Sequence, residues 1–208
     1  MKDKRVISLG FTNQRFQPGV HICLIYRDES ERRKIISHYL ESGLKDEEKI
    51  EYFTDIMTPD ELILWLNELG IDTQKEIEKE QFQIQSALDV YCPDGEFKAE
   101  RMLHALEDFH DKALDAGFTG ARVTGETSWL SQKIPGCNHF IEYEAQINNI
   151  IQKKPVTIMC QYDARLFDGA TIFDVLQVHP LMVVQGQVVR NPAYIQPKEF
   201  LKQLQARK

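Results

Sequence analysis

The chain has few cysteines, and they are not paired in sequence. The four stand at positions 23, 92, 137 and 160, far apart and without a C-x-x-C motif. Small secreted proteins held by disulfides use shorter, regular spacings, so we expect four free thiols in a reducing compartment. Together with the lack of a signal peptide or a membrane span, described next, this predicts a cytoplasmic protein.

Long hydrophobic runs are also missing. No apolar stretch approaches the roughly 20 residues that span a bilayer, and the first residues carry too short an apolar segment for a signal peptide. We therefore expect no membrane association.

The chain lacks an excess of positive charge. Its formal net charge is −7, which disfavours a broad surface for DNA or RNA phosphates. A helix-turn-helix signature is not visible either. We expect no direct contact with nucleic acid, so any effect on transcription would need a partner protein.

What the sequence does contain is the pattern of an α/β protein. An apolar run at 20–25 is followed by Asp28, a helix cap answered by Glu31, and by a second strand at 50–54. Gly43 stands where a helix needs a left-handed stop. Strand, helix and strand at this spacing predict a βαβ unit and a parallel sheet.

The remaining elements fit one α/β domain over residues 1–208, since 208 residues with 42% hydrophobic content can bury a full core. Apolar periodicity predicts strands at 82–86, 121–126 and 156–160, helices at 58–70, 98–116, 140–151 and 171–178, and a hairpin at 181–189. Residues 1–16 are predicted to form an N-terminal arm and residues 197–208 a C-terminal helix. The expected fold is a three-layer, mainly parallel sheet flanked by helices.

The turn after the first strand contains no glycine. It reads YRDESERRK over 26–34, with three carboxylates among its charges. A phosphate loop needs glycines, so that backbone N–H groups can surround the anion, and it also carries a lysine. Nucleotide binding at this turn is therefore disfavoured.

Polar and aromatic residues collect where the predicted parallel strands end. Because open parallel sheets bind ligands at the carboxyl ends of their strands, we expect a small-molecule pocket there. Its candidates are Tyr26, Arg27, Thr54, Asp55, Gly125, Glu126, Trp129, Cys160, Tyr162 and Asp163. The alternative is that Tyr26, Trp129 and Tyr162 are ordinary core aromatics.

His21 and Cys23 lie two apart on one strand and so share a face, and Cys160 and His179 are further candidates for the same ligand site. These are the residue types of a zinc site. Only one short spacing is present, however, which favours a structural histidine and buried thiols. The sequence predicts no metal and no cofactor, and nothing such as an oxyanion motif supports a cysteine nucleophile.

Three glutamates lie within predicted strands or helices. Glu126 ends an apolar strand, where an unpaired charge is costly, so we expect Arg122, Arg165 or a ligand as its partner. Glu142 and Glu144 point to different sides of their helix. One is expected to contact a buried basic group and the other to be solvated.

Seven short segments together resemble a known family. They are GVHICLIY at 19–26, YLESGL at 39–44, RVTGETSW at 122–129, YEAQIN at 143–148, CQYD at 160–163, HPLMVVQG at 179–186 and NPAY at 191–194. In order and spacing they resemble the MEDS family, the sensory domain named for methanogens, methylotrophs and the dichloromethane regulator DcmR. The resemblance covers residues 17–196.

The resemblance implies a RecA-like and KaiC-like layout whose phosphate loop has been lost. It also implies a sensor of small molecules, such as hydrocarbon derivatives, beside DNA-binding or histidine-kinase modules. This chain shows no such module, so the sensor would signal through a partner protein. By analogy with RecA-like sheets, a homodimer is plausible.

The sequence thus predicts a non-enzymatic domain that senses a small, partly apolar molecule in signal transduction or transcriptional regulation. One alternative is a degenerate KaiC-like nucleotide binder or weak ATPase with Glu126 near magnesium. A second is a protein–protein interaction module that uses a sheet edge or the C-terminal helix.

Overall fold

The structure, a computed structural model, describes residues 5–207. Residues 1–4 of the predicted arm and Lys208 of the predicted C-terminal helix lie outside the described residues. Within the described part of the chain, no helix combines the length and the apolar character needed to cross a membrane.

The strands form one large sheet and one small ribbon. The ribbon is the antiparallel pair β1 (Ile7–Ser8) and β2 (Arg15–Phe16). The large sheet contains β3 (His21–Tyr26), β4 (Glu48–Thr54), β5 (Phe82–Ser86), β6 (Gly120–Glu126), β7 (Val156–Asp163), β8 (Leu181–Val184) and β9 (Gln187–Arg190). Its order is β5-β4-β6-β7-β3-β8-β9, and every neighbouring pair is parallel except the hairpin β8–β9. The mainly parallel sheet and the C-terminal hairpin are confirmed.

Helices cover both faces of this sheet. They are α1 (Glu29–Lys45), α2 (Pro59–Glu68), α3 (Thr73–Glu78), α4 (Ala87–Tyr91), α5 (Ala99–Asp115), α6 (Phe140–Ile150), α7 (Gly169–Val178) and α8 (Pro197–Arg207). Helices α1 to α3 share a buried apolar core with one face of the sheet. The opposite face packs against α4 to α7, and α8 packs on α6 and α7 through the fully buried Phe200. The three-layer α/β prediction is therefore confirmed.

The first βαβ unit is wider than the sequence suggests. Strands β3 and β4 are parallel, as expected, but β6 and β7 lie between them in the sheet. Sequence patterns identify the strands, whereas pairing between distant segments decides their order.

Helix starts follow the sequence signals. The Asp28 side chain accepts a hydrogen bond from Glu31 N at 2.7 Å. Thr58 and Glu61 form a complete capping box at the start of α2, because each side chain satisfies a free N–H of the other residue.

The predicted helix stop at Gly43 is wrong. Helix α1 continues through this residue to Lys45. A Cβ at Gly43 would lie 2.7 Å from Nε of Arg122 and 2.8 Å from its Cδ. Glycine is required there because a buried guanidinium passes close to the helix, and not because the backbone turns.

Several boundaries also differ from the predictions. Strand β7 continues to Asp163, beyond the predicted end at 160, and the short helices α3 and α4 lie where no helix was predicted. The N-terminal arm packs against the main body: Leu9 is fully buried, and Ser42 Oγ donates to Ser8 O at 2.9 Å. These features depend on contacts that distant parts of the chain make.

Replacing Gly43 by alanine should destabilise the protein, although alanine is the better helix former by about 1 kcal/mol. Arg122 cannot move away easily, because it donates to Glu48 at 2.6 Å, Tyr39 O at 2.6 Å and Ser8 O at 2.9 Å. We expect a net loss of about 1–2 kcal/mol in the free energy of unfolding, measured in urea.

Gly169→Ala is the matched control. Gly169 begins α7, and a Cβ there would meet no atom within 4 Å. This variant should be as stable as the parent or slightly more so. Equal stability of the two variants would contradict the steric role assigned to Gly43.

Candidate functional site

The central strands carry polar side chains on both faces of the sheet. β3 and β7 are paired in parallel with Cys23 opposite Cys160. Because side chains alternate along a strand, His21, Cys23, Cys160 and Tyr162 all face the layer of α5 and α6. Gln161, between two of them, faces α1 on the other side.

Four buried side chains converge on the α6 side of the sheet, and we call them the polar tetrad: His21, Glu144, Cys160 and His179. Their relative exposures are 0%, 1%, 7% and 0%. One ligand-type atom from each lies within 4.8 Å of all the others. The tetrad joins β3, α6, β7 and the end of α7 at a single point.

Glu144 is the centre of the tetrad. Its Oε2 lies 3.0 Å from His21 Nε2, 3.3 Å from His179 Nε2 and 3.6 Å from Cys160 Sγ. Its Oε1 accepts a hydrogen bond from Tyr162 OH at 2.9 Å. Glu144 is thereby a buried carboxylate with four polar neighbours within 3.6 Å.

A second set of groups fixes the two imidazole rings. His21 Nδ1 lies 3.3 Å from Asn148 Oδ1, and His179 Nδ1 lies 2.8 Å from the carbonyl oxygen of Val175. Both rings are therefore held with Nε2 directed at Glu144. The rings also contact each other, with centroids 4.1 Å apart.

Burial and neighbouring groups together shift the pKa values of this region. Burial, and then the charge of His179, lower the pKa of His21. Burial would raise the pKa of Glu144, but His179 and His21 outweigh it and hold that pKa below its usual value. Burial raises the pKa of the Cys160 thiol well above its usual value and that of Cys23 to about 12. Neither cysteine has the environment of a nucleophile.

The opposite face carries a separate buried ion pair. Glu126 Oε1 accepts from Arg32 at 3.0 Å and from Tyr52 OH at 2.8 Å, and its Oε2 accepts from the backbone N–H groups of Asp55 and Ile56. The predicted partners of Glu126 were wrong. Those arginines are engaged elsewhere, Arg122 with Glu48 and Arg165 with Asp163.

Arg32 occupies the first turn of α1, directly after β3. Its guanidinium is fully buried and also bonds Gln161 Oε1 at 2.9 Å and the carboxylate of Glu29. In a nucleotide-binding α/β fold, backbone N–H groups at this helix start hold a phosphate. Here the protein fills that region with its own paired charges, in agreement with the glycine-free turn.

A cavity of about 440 Å³ lies between the sheet and α5, and we call it the sheet cavity. Its inner wall is apolar and buried, and it includes Phe53, Tyr91, Leu106 and Ile158 together with Cys160. Its polar lining includes Lys49, Glu51, Gln83, Asp108 and Lys112. Cys160 therefore belongs both to the polar tetrad and to the wall of the sheet cavity.

The structure divides the predicted ligand-binding residues among several places. His21, Cys160 and His179 meet in the polar tetrad, with Tyr162 bonded to it and Cys23 close by. Tyr26 and Glu126 lie with Arg32 on the other face, Arg27 is exposed and Asp163 pairs with Arg165. Trp129 is fully buried and stacks on Tyr91 with ring centroids 5.0 Å apart.

Sequence reasoning did not place Glu144, Asn148 and Arg32 in a site. Glu144 does contact buried histidines, and Glu142 bonds the neighbouring His139 at 3.1 Å. The available signal was spacing: Phe140, Glu144 and Asn148 recur every four residues and so share the buried side of α6. A carboxylate on an otherwise apolar helix face indicates a buried partner.

Comparison with known proteins gives a family match over most of the chain. The model of the family described as MEthanogen/methylotroph, DcmR Sensory domain (MEDS) matches residues 20–180. The transcriptional repressor DcmR of Methylorubrum extorquens is 32% identical over 162 residues, which are 76% of this chain and 57% of the repressor. The chain thus spans little more than half the length of that relative.

Solved structures share the fold at low identity. A KaiC-like protein from Pyrococcus horikoshii aligns with a TM-score of 0.62 and 13% identity, over 86% of this chain and 80% of that protein. The flagellar accessory protein FlaH from Methanocaldococcus jannaschii aligns with a TM-score of 0.56 and 12% identity, over 82% and 76%. These similarities establish a RecA-like α/β fold.

Removing one partner of the Arg32–Glu126 pair should be costly. Glu126→Leu leaves the guanidinium buried with less compensation, so we expect a loss of about 3 kcal/mol or more in the free energy of unfolding. The double variant Arg32→Met/Glu126→Leu removes both charges and should recover a substantial part of that loss. Urea denaturation of both variants measures the difference.

Lys45→Ala serves as the control, because Lys45 and its ion-pair partner Glu41 are both exposed to water. This variant should have nearly the stability of the parent. A double variant no more stable than Glu126→Leu would show that the two charges are not coupled as described.

Proposed function

The chain belongs to the MEDS family, and on that premise we propose that it is a regulatory sensing domain that binds a small, partly apolar molecule without transforming it. Two observations support a regulatory role: the family is described as a sensory domain, and the relative DcmR is a transcriptional repressor. The sheet cavity is the structural observation that carries the proposal.

The sheet cavity has the size and lining of a small-molecule site. Its volume of about 440 Å³ falls in the range of about 300–1,000 Å³ that is typical of ligand pockets. Most of its apolar wall is formed by residues that are less than 10% exposed, such as Phe53, Met102 and Leu106. An apolar ligand portion bound there would be removed from water, which is the main source of its affinity.

The polar residues of the lining indicate that the ligand also has a polar group. Lys49, Lys112, Glu51 and Asp108 bring both signs of charge to the sheet cavity. Burial raises the pKa of Glu51 to about 7, against the effect of Lys49 and Lys112. Near neutral pH this carboxyl group can therefore accept or donate a hydrogen bond, so the lining suits a ligand with one polar end.

Two features favour sensing over catalysis. The helix start that would hold a nucleotide phosphate is filled by the buried Arg32–Glu126 pair. Burial keeps the Cys160 thiol protonated and therefore a poor nucleophile. We accordingly rank a weak ATPase below a non-enzymatic sensor.

The output of such a sensor has to pass to another protein surface. We propose a signalling or regulatory partner, or a second copy of the chain. The apolar side of α8 is a weak candidate for that surface, because Phe200 is fully buried against α6 and α7. The sheet ends in β5 and β9, whose outer edges offer backbone groups for pairing.

Blocking the sheet cavity should abolish binding of apolar probes. Ala105 is an exposed residue of α5 that lines the cavity, so Ala105→Trp can fill the cavity without disturbing the core. We expect millimolar toluene to raise the melting temperature of the parent protein and not that of Ala105→Trp. Thermal unfolding with and without toluene measures the effect.

Ala170→Trp is the matched control, since Ala170 is an exposed residue of α7 and does not line the sheet cavity. Toluene should stabilise this variant as it stabilises the parent. No stabilisation of the parent, or equal stabilisation of Ala105→Trp, would refute the cavity as the binding site. Calorimetric heat from magnesium ATP would instead support the nucleotide-binding alternative.

The same pair of variants tests regulation in the host cell. If the sheet cavity receives the signal, a strain carrying Ala105→Trp should have altered transcript levels, and a strain carrying Ala170→Trp should match the parent. RNA sequencing of both strains, together with a deletion strain, gives the comparison. Identical transcripts in the deletion strain and the parent would contradict a role in transcription.

A further inference from the structure

The geometry of the polar tetrad points to a metal site, and we propose that His21, Glu144, Cys160 and His179 bind one divalent ion of the zinc type. This proposal does not depend on the sheet cavity being a ligand site. It rests on the spacing of the four side chains and on the hydrogen bonds that hold the Nδ1 atoms of the two histidines. It also rests on the shortage of hydrogen-bond donors among the atoms that face the centre of the tetrad.

The spacing matches a tetrahedral site. Ligands at about 2.0–2.3 Å from zinc are separated from one another by roughly 3.3–3.8 Å. In the tetrad, Glu144 Oε2 lies 3.0 Å and 3.3 Å from the two Nε2 atoms. Cys160 Sγ lies 3.5 Å from His21 Nε2 and 3.6 Å from that carboxylate oxygen. These four separations are within a few tenths of an ångström of the tetrahedral values, and all four ligand-type atoms lie within 4.8 Å of one another.

The tautomer of His179 follows from its backbone contact. Its Nδ1 lies 2.8 Å from Val175 O, and a carbonyl oxygen can only accept, so Nδ1 carries the hydrogen. In the neutral ring, Nε2 then carries a lone pair and no hydrogen. Among the described residues this buried nitrogen has no hydrogen-bond partner, although Glu144 Oε2 is only 3.3 Å away.

The tautomer of His21 follows in the same way. The amide nitrogen of Asn148 donates to Val178 O at 2.8 Å, which fixes the amide so that its Oδ1 faces His21 Nδ1 at 3.3 Å. His21 Nδ1 therefore carries the hydrogen. When the ring is neutral, His21 Nε2 also carries a lone pair and no hydrogen. Metal-binding histidines commonly donate their other N–H to an oxygen in this way.

Two lone pairs and a carboxylate oxygen thus meet in a space closed to water. The Cys160 thiol can supply one hydrogen, which cannot satisfy three acceptors at once. A cation at the centre satisfies all of them, and the thiol would lose its proton to solvent as the metal binds. The alternative, two charged imidazoles, would place two positive charges with ring centroids 4.1 Å apart and no exposure to water.

The donor set selects the kind of ion. Two imidazole nitrogens, one thiolate and one carboxylate suit zinc, whereas magnesium and calcium prefer oxygen ligands alone. All four positions come from the protein and are buried, which is the arrangement of a structural site. Such an ion would fasten β3, α6, β7 and the end of α7 together, beside the Cys160 wall of the sheet cavity.

Metal binding is measured first on the unaltered protein. The protein is stripped with a chelator, dialysed and titrated with ZnCl₂, and native mass spectrometry counts the bound ions. We expect one zinc ion per chain and a higher melting temperature with zinc. Titration with CoCl₂ should give a thiolate-to-cobalt charge-transfer band and the visible absorption of a tetrahedral ion.

Cys160→Ser identifies the ligand, and Cys137→Ser is its control because Cys137 bonds Ile134 O and lies outside the tetrad. Cys160→Ser should remove the charge-transfer band and weaken zinc binding by more than about 100-fold, beyond the effect typical of losing an outer partner. Cys137→Ser should keep both the band and the affinity.

The unaltered protein can overturn the proposal even if the variants fold poorly. A folded parent protein that binds no zinc, or that gives no charge-transfer band with cobalt, would leave the tetrad as a hydrogen-bonded core cluster. A band that survives in Cys160→Ser would place the metal elsewhere. A toluene effect without zinc binding would refute only the metal site, and the reverse result would refute only the cavity.

Discussion

Strands β3 and β7 lie side by side in parallel, with Cys23 opposite Cys160, and this register positions the polar groups on both faces of the sheet. His21 and Cys160 are brought within 3.5 Å on one face. On the other face, Gln161 reaches the guanidinium of Arg32. A shift of one residue would exchange the faces and bury each polar group against the wrong layer. The polar tetrad and the Arg32–Glu126 pair both depend on this pairing.

Buried charge is the second constraint on the fold. Arg32 pairs with Glu126 and Arg122 pairs with Glu48, and all four side chains are almost inaccessible to water. Such pairs add little to stability over apolar residues of the same size, but each charge becomes costly when its partner is lost. They therefore fix where helix α1 lies on the sheet, and they explain why Gly43 has no side chain next to Arg122.

The likeness to KaiC-like proteins is one of architecture. The fold places a helix start after β3, where related architectures can hold phosphate, yet here Arg32 and its partners fill that position. The two proposed sites, the sheet cavity and the polar tetrad, lie instead on the opposite face.

The sequence by itself determined most elements, because apolar periodicity and caps such as Asp28 and Thr58 are local signals. It also placed His21 and Cys23 on one face and identified the absence of a phosphate loop. Only the tertiary structure decided the strand order, the partner of Glu126 and the meeting of Glu144 with His21 and His179. Residues 21, 144 and 179 are far apart in the chain, and no local pattern records which strands pair. Their proximity follows from the register of β3 and β7 and from the packing of α6 on that pair.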